Sequence, residues 1–201
     1  MCIRDSSNNN DSDTTSKDSD QPYTMVGNQY KKSNNRAVTI VGDSMVKDIK
    51  AFQLKKMMRP SEKVYVRSFP GATVEDMADH LRPTMRHAPD LIVLHAGTNN
   101  LRSPVPAKRI AENIMKLTLD IKNDINDVMV SSLIGRSDDQ NLHRKAMEVN
   151  KVLEEECNRY NLYFINNDNI DTKEHLNGGG LHLNFEGSDL LSKNFLESIR
   201  K

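Results

Sequence analysis

The chain has 201 residues, with 28 basic and 28 acidic side chains and a net charge of zero. That length suits one domain plus a tail, and the balanced charge supplies no global field directed at nucleic acid or an anionic membrane. Cys2 and Cys157 stand far apart with no CxxC or Cys/His pairing, which argues against a disulfide scaffold and a structural zinc site; no cofactor is expected.

No apolar run approaches the ~18 residues of a membrane span. The opening Met1-Cys2-Ile3-Arg4 lacks the apolar core of a secretory signal, so the expectation is an intracellular, cytoplasmic location. Residues 1–36 are rich in Ser, Asn and Asp and poor in large aliphatics. Such a stretch buries too little apolar surface to offset its ordering entropy and reads as a disordered polar leader or linker. Residues 37–201 form the expected folded domain.

Ala37–Val41 is a β-branched, apolar run that stops at Gly42-Asp43-Ser44, and a helical pattern follows from Met45 to Met58 with Met45, Val46, Ile49, Phe52 and Met57 near one face. Pro60 ends it. Val64-Tyr65-Val66 is a short strand, broken by Phe69-Pro70-Gly71. The next helix runs from about Val74 to His87, with Pro83 expected to kink or split it. Leu91–Leu94 is an unbroken apolar run, the mark of a central parallel strand covered on both faces. It ends in His95-Ala96-Gly97-Thr98-Asn99-Asn100.

Ile110, Ile114, Leu117, Ile121 and Ile125 then repeat at helical spacing, and Val128-Met129-Val130 opens a fourth strand. Asp138 or Asp139 caps a long helix whose buried stripe reads Leu142, Ala146, Val149, Leu153, Cys157 and Tyr160. Leu162–Ile165 is a fifth strand. A polar, glycine-containing loop leads to His182 and a last helix ending near Ile199. Five strands alternating with helices predict a three-layer α/β/α sandwich on a five-stranded parallel sheet.

Loops at the carboxyl ends of parallel strands are where ligands bind in such sheets. Three of them carry Ser44, Gly71 and Asn99, and a later one presents His182. A serine, a histidine and three hydrogen-bond donors are the parts of acyl transfer. Ser44 is the expected nucleophile and His182 its base. The Ser44 and Gly71 N–H groups and the Asn99 amide are the expected oxyanion hole. Ser44 also reads as a simple helix N-cap. A phosphate loop is disfavoured, because Gly42 stands without the further glycines that cradle phosphates.

Gly42-Asp43-Ser44, Gly71, Gly97-Thr98-Asn99 and His182, in that order over residues 37–200, resemble the four blocks of the SGNH (GDSL-type) hydrolases. The resemblance implies a flavodoxin-like sandwich and a metal-free serine esterase or acyl hydrolase. The substrate it implies is a small-molecule, lipid or carbohydrate ester, with an acetyl or short acyl group. More loosely, Gly97–Asn100 and the Leu181-His182-Leu183-Asn184 ending resemble esterase-like domains in the first open reading frame of animal LINE-type retrotransposons. The family carries an aspartate three residues before its histidine, and here that position is Gly179. Loss of that acid can cost on the order of 10⁴ in turnover. Three readings stay open: a backbone carbonyl orients His182, Asp168 or Asp171 folds back to it, or the domain is a weak or inactive binding module.

The remaining polar residues have plainer readings. His95 is expected to be a core histidine, His143 and His175 surface residues, Asp43 a brace for its turn and Arg136 a solvated loop residue.

Overall fold

The structure, a computed structural model, describes residues 36–201. Apart from Arg36, the expected leader lies outside the described residues. The order is β1 (Ala37–Gly42), a 3₁₀ turn (Ser44–Val46), α1 (Ala51–Met57), β2 (Lys63–Ser68), α2 (Val74–Met85) and β3 (Leu91–His95). A second 3₁₀ turn (Asn99–Arg102), α3 (Ala107–Asp124), β4 (Asp127–Ser131), α4 (Gln140–Arg159), β5 (Tyr163–Ile165) and α5 (Phe185–Ile199) follow. All strand pairs are parallel, in the order β2-β1-β3-β4-β5. This is the flavodoxin-like arrangement, whose switch point lies between β1 and β3.

The alternation of side chains along the strands explains the layers. Val38, Ile40, Leu91 and Val93 pack with Leu54 of α1 and with Leu191 and Phe195 of α5. Val41, Ile92, Leu94 and Val130 face the other way, against Met77, Ile110, Ile114 and Leu153 of α2, α3 and α4. β3 is buried along its whole length, because both faces are covered. Among the described residues, no helix is long and apolar enough to cross a membrane.

Three local expectations change. The helix expected from Met45 to Met58 is two pieces, because the chain must first turn off the strand end. The 3₁₀ turn buries Ser44, Met45 and Val46, and the residues after it reset the helical phase before α1 starts at Ala51. Ile49 and Leu54 then face the core, while Phe52 and Met57 are left 58% and 42% exposed. Pro83 neither splits nor ends α2, which continues to Met85, although its ring removes the N–H that would pair with the Asp79 carbonyl. Tyr160 is exposed rather than buried, because α4 stops at Arg159 and the chain reverses through Asn161 at φ 52°. Cys157 is in the core as expected, and burial pushes its thiol up to about 12.

Phe195 is fully buried under the sheet and among the largest buried side chains. Phe195→Ala should destabilise the domain by about 3–5 kcal/mol, read as a lowered urea midpoint at unchanged slope.

Candidate active site

The strand ends at the switch point are drawn together by one turn. Gly42 faces His95 across the β1–β3 ladder. A Cβ on Gly42 would stand 2.6 Å from the His95 carbonyl oxygen and 2.9 Å from Val46 Cγ1, so no larger residue fits there. The next residue, Asp43, is fully buried. Its carboxylate accepts from Met45 N–H at 3.0 Å and from Thr98 N–H at 3.3 Å, which ties the β1 turn to the β3 loop. Asp43 is also the cap of the 3₁₀ turn, so Ser44 is released from the capping role open to it. Ser44 sits at the head of that turn with 8% of its surface exposed.

The β2 loop is stitched to the same point. Ser68 Oγ donates to the Asp43 carbonyl at 2.9 Å, and Phe69 N–H donates to that of Gly42 at 2.8 Å. Phe69 to Ala72 is a tight turn closed by Ala72 N–H to Phe69 O at 3.1 Å. Pro70 supplies its fixed φ and Gly71 its left-handed residue, at φ 84°. The closing bond uses Ala72 N–H, not Gly71 N–H. Asn99 Nδ2 donates to Ala72 O at 2.9 Å, binding the β3 loop to the β2 loop and leaving its second amide hydrogen over. The structure thus brings the loops of Ser44, Gly71 and Asn99 together.

His182 arrives from the opposite side. Its carbonyl accepts Asn177 N–H at 2.8 Å, and Leu176 pairs antiparallel with Leu183. Leu183 shares the core of Met45 and Val46, so the histidine loop packs beside the serine turn. His182 Nδ1 is buried and has no hydrogen-bond partner among the described residues. Gly179, at the expected acid position, is exposed and donates its N–H to Asn177 Oδ1.

Neither substitute acid reaches the ring. Asp171 is exposed, and its carboxylate caps its own turn by accepting Lys173 and Glu174 N–H, bonds that hold its pKa below the usual range. Asp168 is exposed and accepts Asn166 Nδ2 at 2.9 Å. Both carboxylates find donors within three residues, the cheapest partners in chain entropy.

Several polar residues depart from the sequence reading or escaped it. Arg136 is 2% exposed rather than solvated. Its Nε donates to Asp138 Oδ1 at 2.8 Å, and this guanidinium holds the Asp138 carboxyl below its usual range. His143 and His175 are half-buried rather than on the surface; their Nδ1 atoms accept Arg136 N–H and Asp171 N–H. Asn100, part of the third block, has a role that its position in the sequence does not reveal. It accepts Val74 N–H at 2.9 Å and donates to Glu75 at 2.8 Å, anchoring α2 to the β3 loop.

Below the site lies a polar network in which His95 Nδ1 meets Ser131 Oγ at 2.9 Å. Ser131 is bonded in turn by Asn167, and Asn167 by Asn194. The partners lie 27 to 36 residues apart, so no local signal marks them. Among the described residues, no three His, Cys, Asp or Glu side chains cluster as metal ligands.

A serine on a braced turn at the switch point of a doubly wound parallel sheet defines a class, the α/β proteins that present a hydroxyl at the β1 end. The family model of GDSL-like lipases and acylhydrolases matches residues 40–190, and the chain belongs to that family. No curated protein sequence matches it.

Solved structures share the fold. The lipase/acylhydrolase from Enterococcus faecalis is 22% identical with a TM-score of 0.70, over 82% of this chain and 95% of that one. A catalytic mutant of an acetylxylan esterase from Geobacillus stearothermophilus is 16% identical with a TM-score of 0.65, over 82% and 94%. The esterase EstA from a Pseudoalteromonas species, inhibited by monoethylphosphonate, is 14% identical with a TM-score of 0.68, over 83% and 97%.

The buried His95 imidazole is held below its ordinary value by desolvation, against the opposing pull of the Asp43 carboxylate. The folded state therefore binds this proton less readily than the unfolded state, so stability rises with pH across the window. Urea midpoints should fall as pH is lowered through about 6.5, the unfolded histidine value. His95→Gln should flatten that slope.

Proposed function

We propose that this chain is a serine acyl hydrolase that cleaves a carboxylic ester through an acyl-Ser44 intermediate. The observation that carries the reading is the Asp43 brace. It holds Ser44 at the switch point and joins that turn to the loop of Asn99, in a chain of the GDSL-like family. Ser44 Oγ attacks the ester carbon while its proton passes to His182 Nε2. The new oxyanion accepts from Ser44 N–H, Gly71 N–H and the second hydrogen of Asn99 Nδ2. Collapse breaks the bond to the alcohol oxygen, which leaves with the proton from His182. Water then attacks the acyl-serine and gives its proton to His182. The carboxylic acid departs, and the proton returns to Ser44.

The acyl group we assign is acetyl or another short chain. The likeness to an acetylxylan esterase supports an acetyl ester, including an acetylated carbohydrate, as the substrate class.

A second reading has its own support. His182 Nδ1 is buried and unpartnered, and the acid position is Gly179. A domain with this site can keep the cleft and bind an ester with little turnover.

Hydrolysis of p-nitrophenyl acetate decides between them. Ser44→Ala and His182→Ala should each abolish hydrolysis, and a fluorophosphonate should label wild type but not Ser44→Ala. Gly179 has ordinary backbone torsion, and its Cβ would meet only Asn177 Oδ1, at 3.3 Å. Gly179→Asp should therefore be tolerated and should raise kcat by at least tenfold, toward the order of 10⁴ that the acid is worth in related triads. Wild type equal to both alanine variants, with no labelling, would overturn the acyl-hydrolase reading and leave the binding reading standing.

A further inference from the structure

Phe185 and Met57, two of the large exposed apolar side chains, line one groove, and the exposed Phe52 lies beside it on α1. Phe185 is 78% exposed although it opens α5 only three residues after His182. Between α5 and α1 runs a groove of about 680 Å³, with Ile49, Leu54 and Leu183 among its lining residues and Met57 at its far end. Its near end is formed by Lys47 and Asn184, which adjoin the serine turn and the histidine. Phe52 borders the groove through Lys56, whose ammonium lies 4.7 Å from its ring centre.

The groove is also basic. Lys47, Lys50 and Lys56 line it and form no ion pair among the described residues. Of its two carboxylates, Asp189 is bound to Lys193 at 2.8 Å. Three ammonium groups, one of them over the Phe52 ring, face a single carboxylate without an ion pair among the described residues, Asp48, which leaves the trough locally basic in a chain of zero net charge.

The reaction geometry says which part of a substrate belongs there. The oxyanion donors Gly71 and Asn99 lead into α2 and α3 on one side of the sheet, whereas Ser44 and His182 lead into α1 and α5 on the other. His182 gives its proton to the departing alcohol, so the alcohol lies on the α1–α5 side, at the mouth of the groove.

We propose that the groove between α1 and α5 is the leaving-group subsite, and that it takes an alcohol with a linear apolar chain ending in an anionic group. The assignment rests on the acyl-hydrolase reading. The seven-residue α1 is about 10 Å long, enough for a chain of roughly ten carbons when the approach from Lys47 is added. Such a chain sets its charge near Lys56. The probes are ω-acetoxyalkanoates and the product 10-hydroxydecanoate.

Binding is measured first, without turnover. The chain has no tryptophan, so Met57→Trp in the Ser44→Ala protein places a single fluorophore in the groove. Titration with 10-hydroxydecanoate below its aggregation concentration should give a saturable blue shift. Lys47→Glu/Lys50→Glu/Lys56→Glu should weaken that binding at least tenfold, and decanol should bind less tightly than the hydroxy acid. In the catalytic protein, kcat/KM for 10-acetoxydecanoate should exceed that for 4-acetoxybutanoate by at least tenfold, since each half-buried methylene is worth about twofold. Phe185→Ala should raise KM for the longer ester about fivefold and change KM for 4-acetoxybutanoate less than twofold, since the shorter chain ends before the far part of the groove.

Absence of a saturable shift with 10-hydroxydecanoate overturns the proposal, as does a shift unaffected by the lysine changes. A shift on phosphatidylcholine/phosphatidylserine vesicles but not with the monomeric acid also overturns it, and marks the face as a membrane surface. Should the protein hydrolyse no ester, the acyl-hydrolase reading fails while the fluorescence titration still decides whether the groove binds this chain.

Discussion

The buried carboxylate of Asp43 is the constraint from which the site hangs. A carboxylate removed from water must be satisfied by donors, and this one takes two backbone N–H groups, from Met45 and Thr98. Those donors belong to the loops leaving β1 and β3, the two strands that flank the switch point. One side chain therefore fixes the turn of the serine and the loop of Asn99 to each other. The close approach at Gly42, where a Cβ would collide with the His95 carbonyl, is the steric half of the same arrangement. Ser68, Phe69 and Asn99 extend the stitching to the β2 loop.

The two sides of the centre are built unequally. On the α2–α3 side, main-chain and amide hydrogen bonds connect three loops into one unit. On the α1–α5 side, His182 is held by a short bridge within its own loop, and its Nδ1 has no partner among the described residues. An imidazole used as a base becomes positively charged, and a facing carboxylate lowers the cost of that charge. Gly179 supplies none, while Asp168 and Asp171 are consumed by their own turns. The open, basic groove lies on this less braced side. Its exposed Phe185 opens α5, three residues after His182.

Much of the fold was legible in the residues. Strand runs ending in Gly-Asp-Ser and Gly-Thr-Asn, and the stripe of Ile110, Ile114 and Ile121, depend on local periodicity, which survives folding unchanged. The errors came where phase or context is set from outside. Phe52 and Met57 fit a helical stripe that starts at Met45, but the buried serine turn shifted that phase. Arg136 reads as a solvated loop residue until Asp138 is seen folded against it. The network of His95, Ser131, Asn167 and Asn194 joins residues whose separation gives no periodic signal.

The sequence by itself determined the alternation of strands and helices, the order of the four blocks and the absence of an aspartate at Gly179. Each is a property of residue identity or short-range spacing. Only the tertiary structure decided that Asp43 rather than Ser44 caps the turn and that Asn99 spends one amide hydrogen on Ala72. It also decided that His182 Nδ1 meets no acid among the described residues and that α1 and α5 part into a groove beside it. Those outcomes depend on which distant donors, acceptors and apolar faces the packed layers bring within a few ångströms, and local spacing does not encode that competition.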